Sequence, residues 1–421
     1  MATLAYETEA SRRALEKERR ALLIERVTNI FVYVFLTVIA FFLLFPFLYM
    51  VFTSLKTATD VTRFPPRLLP YSALTTEYNG EQVPLYSLEV NGQQRTMVDS
   101  GESVRFGFFT TADLINVAEP RQSGLITQVP IDQATDTGRV ENVGGTDFPV
   151  YSVEVNGQPQ ELVLAFRGGL DRFVDPNDPT VEAFANERTA AKVERVEFQW
   201  ANYQSVLQLR NLDRSLINTA LVTVLVTAGQ VLTSLLGGYA FSRLNFRGRD
   251  AVFLVYLGTI MIPFVVLIIP LYQLMRVLGW QDHLVALILP WIFTAYGTFL
   301  MRQFFITIPK ELEEAAQLDG LSRFGTLFRV LVPLSGAAIA TQAIITFLYA
   351  WNSFLWPLVI ISEGNLPNHV VTLTLNQLRN ASQSEPNIML TGAAVAILPP
   401  LILFILAQRY FVEGIANTGS K

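Results

Sequence analysis

The chain has no cysteine among its 421 residues, so no disulfide can brace any part of it, and neither thiol chemistry nor a cysteine-based metal site is open to it. Histidine is nearly as scarce. His283 and His369 are the two present, which argues against a histidine-rich metal centre, and each reads as a solvent-facing loop residue. No GxxxxGK[ST] phosphate loop occurs in the sequence, so the chain brings no P-loop site for ATP. Charge is thin as well: 16% of residues are charged against 51% hydrophobic, with a mean hydropathy of +0.35, far from the roughly 25% charged content of an average soluble domain. A multi-span membrane protein is the first reading.

The formal charge of −5 conceals two regions of different character. Residues 71 to 200 hold 20 acidic and 9 basic side chains, a net of −11, which leaves +6 for the rest. Residues 1 to 28 carry Glu9, Arg13, Glu16 and Arg20 at helical spacing and read as a cytoplasmic N-terminal surface helix. A first span follows over 29–55, too long for a secretory signal and read as a retained anchor. Five later apolar segments, near 215–241, 251–275, 284–306, 334–361 and 390–412, each reach the roughly 20 residues needed to cross the hydrocarbon.

Orientation follows from basic residues in short loops. With both termini inside, Arg243, Arg247, Arg249, Arg302, Lys310, Arg323, Arg329, Arg409 and Lys421 fall on the cytoplasmic side, and Arg276 and Arg379 on the other. The region 56–212 is then outside. It repeats itself: Tyr-Ser-Leu-Glu-Val-Asn-Gly-Gln at 86–93 and Tyr-Ser-Val-Glu-Val-Asn-Gly-Gln at 151–158, each alternating apolar and polar residues up to an Asn-Gly turn. That pattern predicts a β-rich domain with two related hairpins. Asp175, Asn177 and Asp178 lack the glycine and terminal glutamate of a calcium loop and read as a proline-pinned turn. The domain could scaffold, or bind a partner such as a soluble receptor; the sequence leaves both open.

The stretch 307–333 lies between two spans without resembling either. Pro309 fits the first turn of a short helix, Glu311, Glu313 and Glu314 place negative charge at its positive end, and Gly320 fits the left-handed residue that stops it. A second helix is predicted from Ser322, with Phe324, Leu327, Phe328 and Leu331 on one apolar face and Pro333 closing it. On composition alone this is equally an ordinary connector. The spacing Glu-Ala-Ala, three residues, Gly, nine residues, Val-Leu-Val-Pro closely resembles the coupling-loop signature of permease subunits of bacterial ATP-binding-cassette importers, with Val330 and Val332 as conservative departures from Ile-x-Leu-Pro.

The resemblance extends along SLKTATDVTRFPPRLLP at 54–70, NTALVTVLVTAGQVLTSLLGGYAFSRLNFRGRD at 218–250, MIPFVVLIIPLYQLMRVLGW at 261–280, WNSFLWPL at 351–358 and QRYFVEG at 408–414. These resemble the second permease subunit of carbohydrate importers related to the maltose transporter. The resemblance implies a membrane all-α fold with six transmembrane helices of the type I ABC importer kind, interrupted between the first two helices by the β-rich extracytoplasmic insertion. That family normally has a short loop where about 125 residues, roughly 71 to 197, stand here. It further implies a multi-pass protein of the bacterial plasma membrane whose partners are a second permease subunit, two ATPase subunits, an extracytoplasmic sugar-binding protein and membrane lipid, with no nucleic acid. The chain would be no enzyme and bind no cofactor, with ATP and magnesium on the partner ATPase. Residues 213–421 would form the five-helix permease core, and Glu314, Ala315, Ala316, Asp319 and Gly320 would contact the ATPase.

Trp351, Asn352 and Phe354, with Ser353 and Trp356, suit a sugar path, aromatic faces for CH-rich surfaces and amides for hydroxyls. Helix packing and interfacial anchoring suit the tryptophans equally well. Two other function classes make different demands on the sequence. A membrane-anchored receptor or assembly protein acting through its external β domain would need one or two spans and an inner effector domain, and a secondary transporter would need intramembrane ionisable residues. The sequence offers neither.

Overall fold

The computed structural model describes the backbone of residues 2–418 except 91, 125, 156 and 382–384, and the side chains of 23–408 within that range. The side chains from Glu9 to Arg20, the turn residues Asn91 and Asn156, Arg409, Lys421 and most of the ending at 408–414 lie outside the described residues. Two compact units are present, a helical one of residues 1–70 and 198–421 and a β one of Tyr71–Glu197.

The helical unit begins with α1 (Ala2–Ser54), one continuous helix, so the surface helix and the first span expected separately form a single rod. No glycine occurs along it, and Pro46 is accommodated inside. Thr57 caps the short α2 (Ala58–Val61) by accepting from Asp60 N–H. After the β unit come α3 (Ala201–Gln208) and α4 (Leu212–Arg243). The stretch 198–212, expected within the β-rich insertion, is therefore mostly helical. The reason is apolar: Val206 and Leu212 are buried with Trp351, Val371, Leu378 and Ile388. The start of this stretch is tied to the end of α1, with Gln199 N–H on Leu55 O at 2.9 Å and Asn202 Nδ2 donating to Ser54 O and Lys56 O, each at 2.9 Å.

The remaining helices are α5 (Arg249–Gly258), α6 (Phe264–Val277), α7 (Val285–Ile288), α8 (Ala295–Thr307), α9 (Lys310–Leu318), α10 (Arg323–Thr326), α11 (Val332–Leu334), α12 (Gly336–Trp351), α13 (Leu355–Ile360), α14 (Val371–Ala381) and α15 (Pro386–Thr418). Among the described residues four helices are long and apolar enough to cross a membrane, or up to six if each bent pair counts as one span. The bent pairs are α5 with α6, turned by 99°, and the 323–334 segment with α12, turned by 83°. Pro263 sits at the first bend as the N-cap of α6, Pro290 in the 3₁₀ turn after α7, and Pro270 stays within α6. The fifth apolar segment is broken too, because α12 ends at Trp351 and α13 starts only at Leu355.

α4 and α8 cross where α4 offers glycine. A Cβ on Gly238 would lie 2.6 Å from Met301 Cβ and 3.0 Å from Arg302 N, so only glycine lets the backbones approach this closely. Carbonyls freed by the break before α8 are answered from α4: Gln230 Nε2 donates to Trp291 O (2.7 Å) and Thr233 Oγ1 to Ile292 O (2.5 Å). Neighbouring side chains satisfy broken membrane helices in this way. His283 is exposed, but His369 is 1% exposed, a correction to the expected solvent-facing loop residue. Its ring nitrogen Nε2 lies 3.1 Å from Ser362 O and its carbonyl accepts from Asn218 Nδ2 at 2.8 Å, which fixes it beneath the loop.

The β unit holds β1 (Tyr71–Ala73), β2 (Thr75–Tyr78), β3 (Glu81–Val90), β4 (Gln93–Thr110), β5 (Thr127–Pro130), β6 (Thr135–Val143), β7 (Thr146–Val155), β8 (Gln158–Asp175), β9 (Asp178–Ala185), β10 (Ala191–Lys192) and β11 (Glu194–Val196). The repeat in the sequence is a repeat in the fold. β3 and β7 are each 10 residues long, β4 and β8 each 18, and the antiparallel pair of β4 with β8 joins the two hairpins back to back. Gly92 and Gly157 have φ of +77°, as such turns require. Each repeat tyrosine packs on the other repeat's long strand: Tyr86 on Phe173 at 5.0 Å and Tyr151 on Phe109 at 5.6 Å between ring centroids. Phe109 rather than Phe108 takes this place because the ladder shifts register between those two residues.

Candidate functional site

The loop between α8 and α10 is built by its caps. Pro309 is the N-cap of α9, with Glu311 and Glu313 in the first turn, where negative charge meets the helix's positive end. The helix stops at Leu318, Gly320 adopts φ +84°, and its N–H bonds Gln317 O while Leu321 N–H bonds Ala316 O, each at 3.0 Å. That is a Schellman closure. Ser322 then caps α10, its Oγ accepting from Gly325 N–H at 3.2 Å.

The second arm differs from its expected form. Residues Leu327–Leu331 make a π turn, whose wider ring changes the phase of the side chains. Leu327 and Leu331 are buried against Leu235, Tyr239, Met301 and Phe305, whereas Phe328 is exposed and Phe324 is 68% exposed. The single apolar face expected from all four residues is thus split between core and surface.

Of the five residues expected to dock, Glu314, Ala315, Asp319 and Gly320 share an exposed surface, and Ala316 faces inward. Leu318 joins them at 89% exposure. Sequence reasoning passed over Leu318, though it lies one turn after Glu314 and so on the same side of the helix. Small and acidic exposed residues together with bare apolar side chains, Leu318 on α9 and Phe324 on α10, have the chemistry of a contact surface.

The aromatic cluster sorts into two groups. Trp351 is 4% exposed, donates its indole N–H to Ala396 O at 3.1 Å and stacks on Phe347. Trp356 is buried, donates to Ala286 O at 2.9 Å and meets the rings of Phe264 and Trp291. Both are packing residues. Asn352 and Phe354 are exposed, with Asn352 Nδ2 on Leu348 O at 2.8 Å, and Tyr349 is exposed one turn earlier. The cluster also marks where three breaks meet: Phe264 follows the break at 262–263, Trp291 precedes that at 292–294 and Trp356 follows that at 352–354. Irregular backbone at membrane depth is tolerated only where it is buried in protein or lines a water-filled cavity. Outside the spans, Asp282 has φ +63° and accepts from Ser362 N–H (2.5 Å) and Oγ (2.6 Å). The hydroxyl and then the backbone donor hold its carboxyl below the usual range.

Residues 229–417, from within α4 to α15, match the family described as "Binding-protein-dependent transport system inner membrane component". Over 204 residues the chain is 36% identical to the arabinooligosaccharides transport system permease protein AraQ of Halalkalibacterium halodurans, covering 48% of this chain and 72% of that protein. The chain belongs to this family. The chain is also similar to the sn-glycerol-3-phosphate transport system permease protein UgpE of Pectobacterium atrosepticum, 35% identical over 203 residues covering 48% of this chain and 72% of that one. The lactose transport system permease protein LacG of Rhizobium radiobacter is 34% identical over 201 residues, covering 48% and 73%. As a member of this family the chain is a multi-pass inner-membrane transport component, a permease and not an enzyme. The matched segment contains the whole of α9 and its glycine turn and none of the β unit.

Proposed function

We propose that the chain is the permease subunit of an ATP-driven, binding-protein-dependent importer of neutral carbohydrates. It forms half of the translocation path together with a second permease subunit, and it is driven by two separate ATPase subunits that carry ATP and magnesium. The observation that carries this reading is the exposed α9 surface of Glu314, Ala315, Leu318, Asp319 and Gly320, a rigid and capped helix ending in apolar knobs. Both termini lie in the cytoplasm, the side that the basic loops favour, and the β unit faces the extracytoplasmic sugar-binding protein's side. Asn352, Phe354 and Tyr349 face the path. Their exposed stripe, with Ile345 and Leu348, carries no charged side chain, which suits hydroxyls and CH faces better than an anion.

The test is to purify the tagged chain gently from its native membrane, identify its companions by mass spectrometry, and measure ATP hydrolysis with arabinooligosaccharides, lactose and sn-glycerol 3-phosphate. Recovery of a P-loop ATPase and a second permease, with stimulation by a carbohydrate, is the expected result. Recovery without an ATPase would remove the transport-coupling reading, and stimulation by the phosphate ester alone would remove the neutral sugar.

A further inference from the structure

Glu313 and Glu314 are adjacent and chemically identical, yet the fold treats them oppositely. Glu314 is exposed, whereas the Glu313 side chain is 12% exposed and turned toward α4. One carboxylate oxygen of Glu313 accepts from the Tyr239 hydroxyl at 3.1 Å. The other lies 3.5 Å from Arg243 Nε, an ion pair without hydrogen-bond geometry. The Arg243 side chain is itself 3% exposed, and its Nη2 donates to Phe305 O and Ile308 O, each at 2.6 Å. Those carbonyls close α8. One guanidinium therefore sits between the negative end of α8 and the acidic first turn of α9, and it belongs to the last turn of α4. The α4–α8 crossing at Gly238 is already too close for a side chain.

We propose that Tyr239, Arg243 and Glu313 form a latch that fixes the coupling helix α9 to the α4–α8 pair, so that displacement of α9 by an ATPase moves these two spans as one body. Glu313 is a positioning residue, and Glu314 with Leu318 makes the contact. The latch rests on the coupling reading above. It divides the acidic run of this loop into one carboxylate that points to the partner and one that holds the lever together. Removing the charge of Glu313 leaves docking chemistry in place but loosens the lever, and the coupling energy between two sites is lost with the rigidity that carries it.

This chain brings no cysteine of its own, so with cysteine-free partner subunits only the introduced sites are labelled. In the purified complex in nanodiscs, Val224→Cys and Lys310→Cys place spin labels on the exposed side of α4 and at the start of α9. Pulsed electron paramagnetic resonance then reads their separation with and without magnesium and AMP-PNP. The latch requires one narrow distance in both conditions, and a nucleotide-dependent shift or broadening once Glu313→Gln is added, while Glu314→Gln keeps the distance narrow. Tyr239→Phe, which removes one hydrogen bond, should broaden it less. Transport per ATP should fall roughly tenfold in Glu313→Gln. A nucleotide-dependent distance in the parent, or an unchanged narrow distance in Glu313→Gln, would overturn the latch while leaving the coupling reading intact. Loss of ATPase co-purification in Glu313→Gln would make Glu313 a docking residue and also overturn it. A parent complex that contains no ATPase overturns both.

Discussion

In the β unit Tyr86, Met97 and Phe173 have no exposed surface, and the central strands β4 and β8 are buried without a break over 106–110 and 162–165, where they pair. In the helical unit the span of α1 has none of its apolar window buried, and α6 presents Val265, Val266, Ile269 and Val277 to its surroundings. One unit closes its core by itself. The other leaves long apolar faces open to its surroundings, and inside it three apolar clusters are joined by caps, carbonyl acceptors and small-residue crossings. The difference teaches two ways of holding a fold together: by aromatic exchange between two repeats, and by polar joints where helices break.

The contrast can be broken most severely in the β unit. Residues 71–197 expressed alone should remain soluble without detergent and melt cooperatively, and Tyr86→Ala should lower their stability by about 3–5 kcal/mol in denaturant unfolding. A fragment that aggregates or melts without cooperativity would show that its core is not its own. In the helical unit, Gly238→Val forces α4 from α8 and should cost about 1–3 kcal/mol, read as a lower melting temperature of the detergent-solubilised chain. Gly320→Asp adds a side chain at φ +84° and a charge on the exposed turn after α9. It should cost about 1–2 kcal/mol through the left-handed backbone, leave membrane insertion intact, and reduce transport in proteoliposomes; unchanged transport with normal assembly would remove this glycine from the contact.

The smallest effect is expected at the loop clasp of Asp282. Its carboxyl is held below the usual range, so the stability it supplies is present at neutral pH and disappears as pH falls through that lowered value. Asp282→Asn should cost about 1 kcal/mol at pH 7, and the gap from the parent should close toward pH values below about 4. A gap that widened in acid would reverse the assignment.

Particular residues show how far the sequence could be read. Gly320, Pro309 and Ser322 announce α9 and its turn because caps are local chemistry, decided within a few residues. The two hairpins are equally local, with tyrosine, alternation and a turn glycine in each copy. Phe324 and Phe328 misled because helical periodicity assumes one turn size, and the π turn at 327–331 is set by what Leu327 and Leu331 pack against. His369 was invisible as a buried residue because its partners, Ser362 and Asn218, come from different segments. Trp351 and Asn352 are neighbours in sequence on opposite sides of a helix end, one in the core and the other at the surface, and only the ending of α12 separates them. The latch was equally hidden, since the motif picks out Glu314 but nothing local turns Glu313 toward Tyr239 and Arg243.

Tyr71 pairs with Val196, so the chain arrives at the β unit and departs from it on adjoining strands. A domain tethered in this fashion needs a mooring no wider than a hairpin turn, and Leu55 and Gln199, joined by one hydrogen bond, supply such a mooring in the helical host. The connection between α2 and α3 is in this sense a socket. Evolution could fit or withdraw a module there without redrawing a single span, and a protein engineer could exchange the native module for any other whose termini lie side by side.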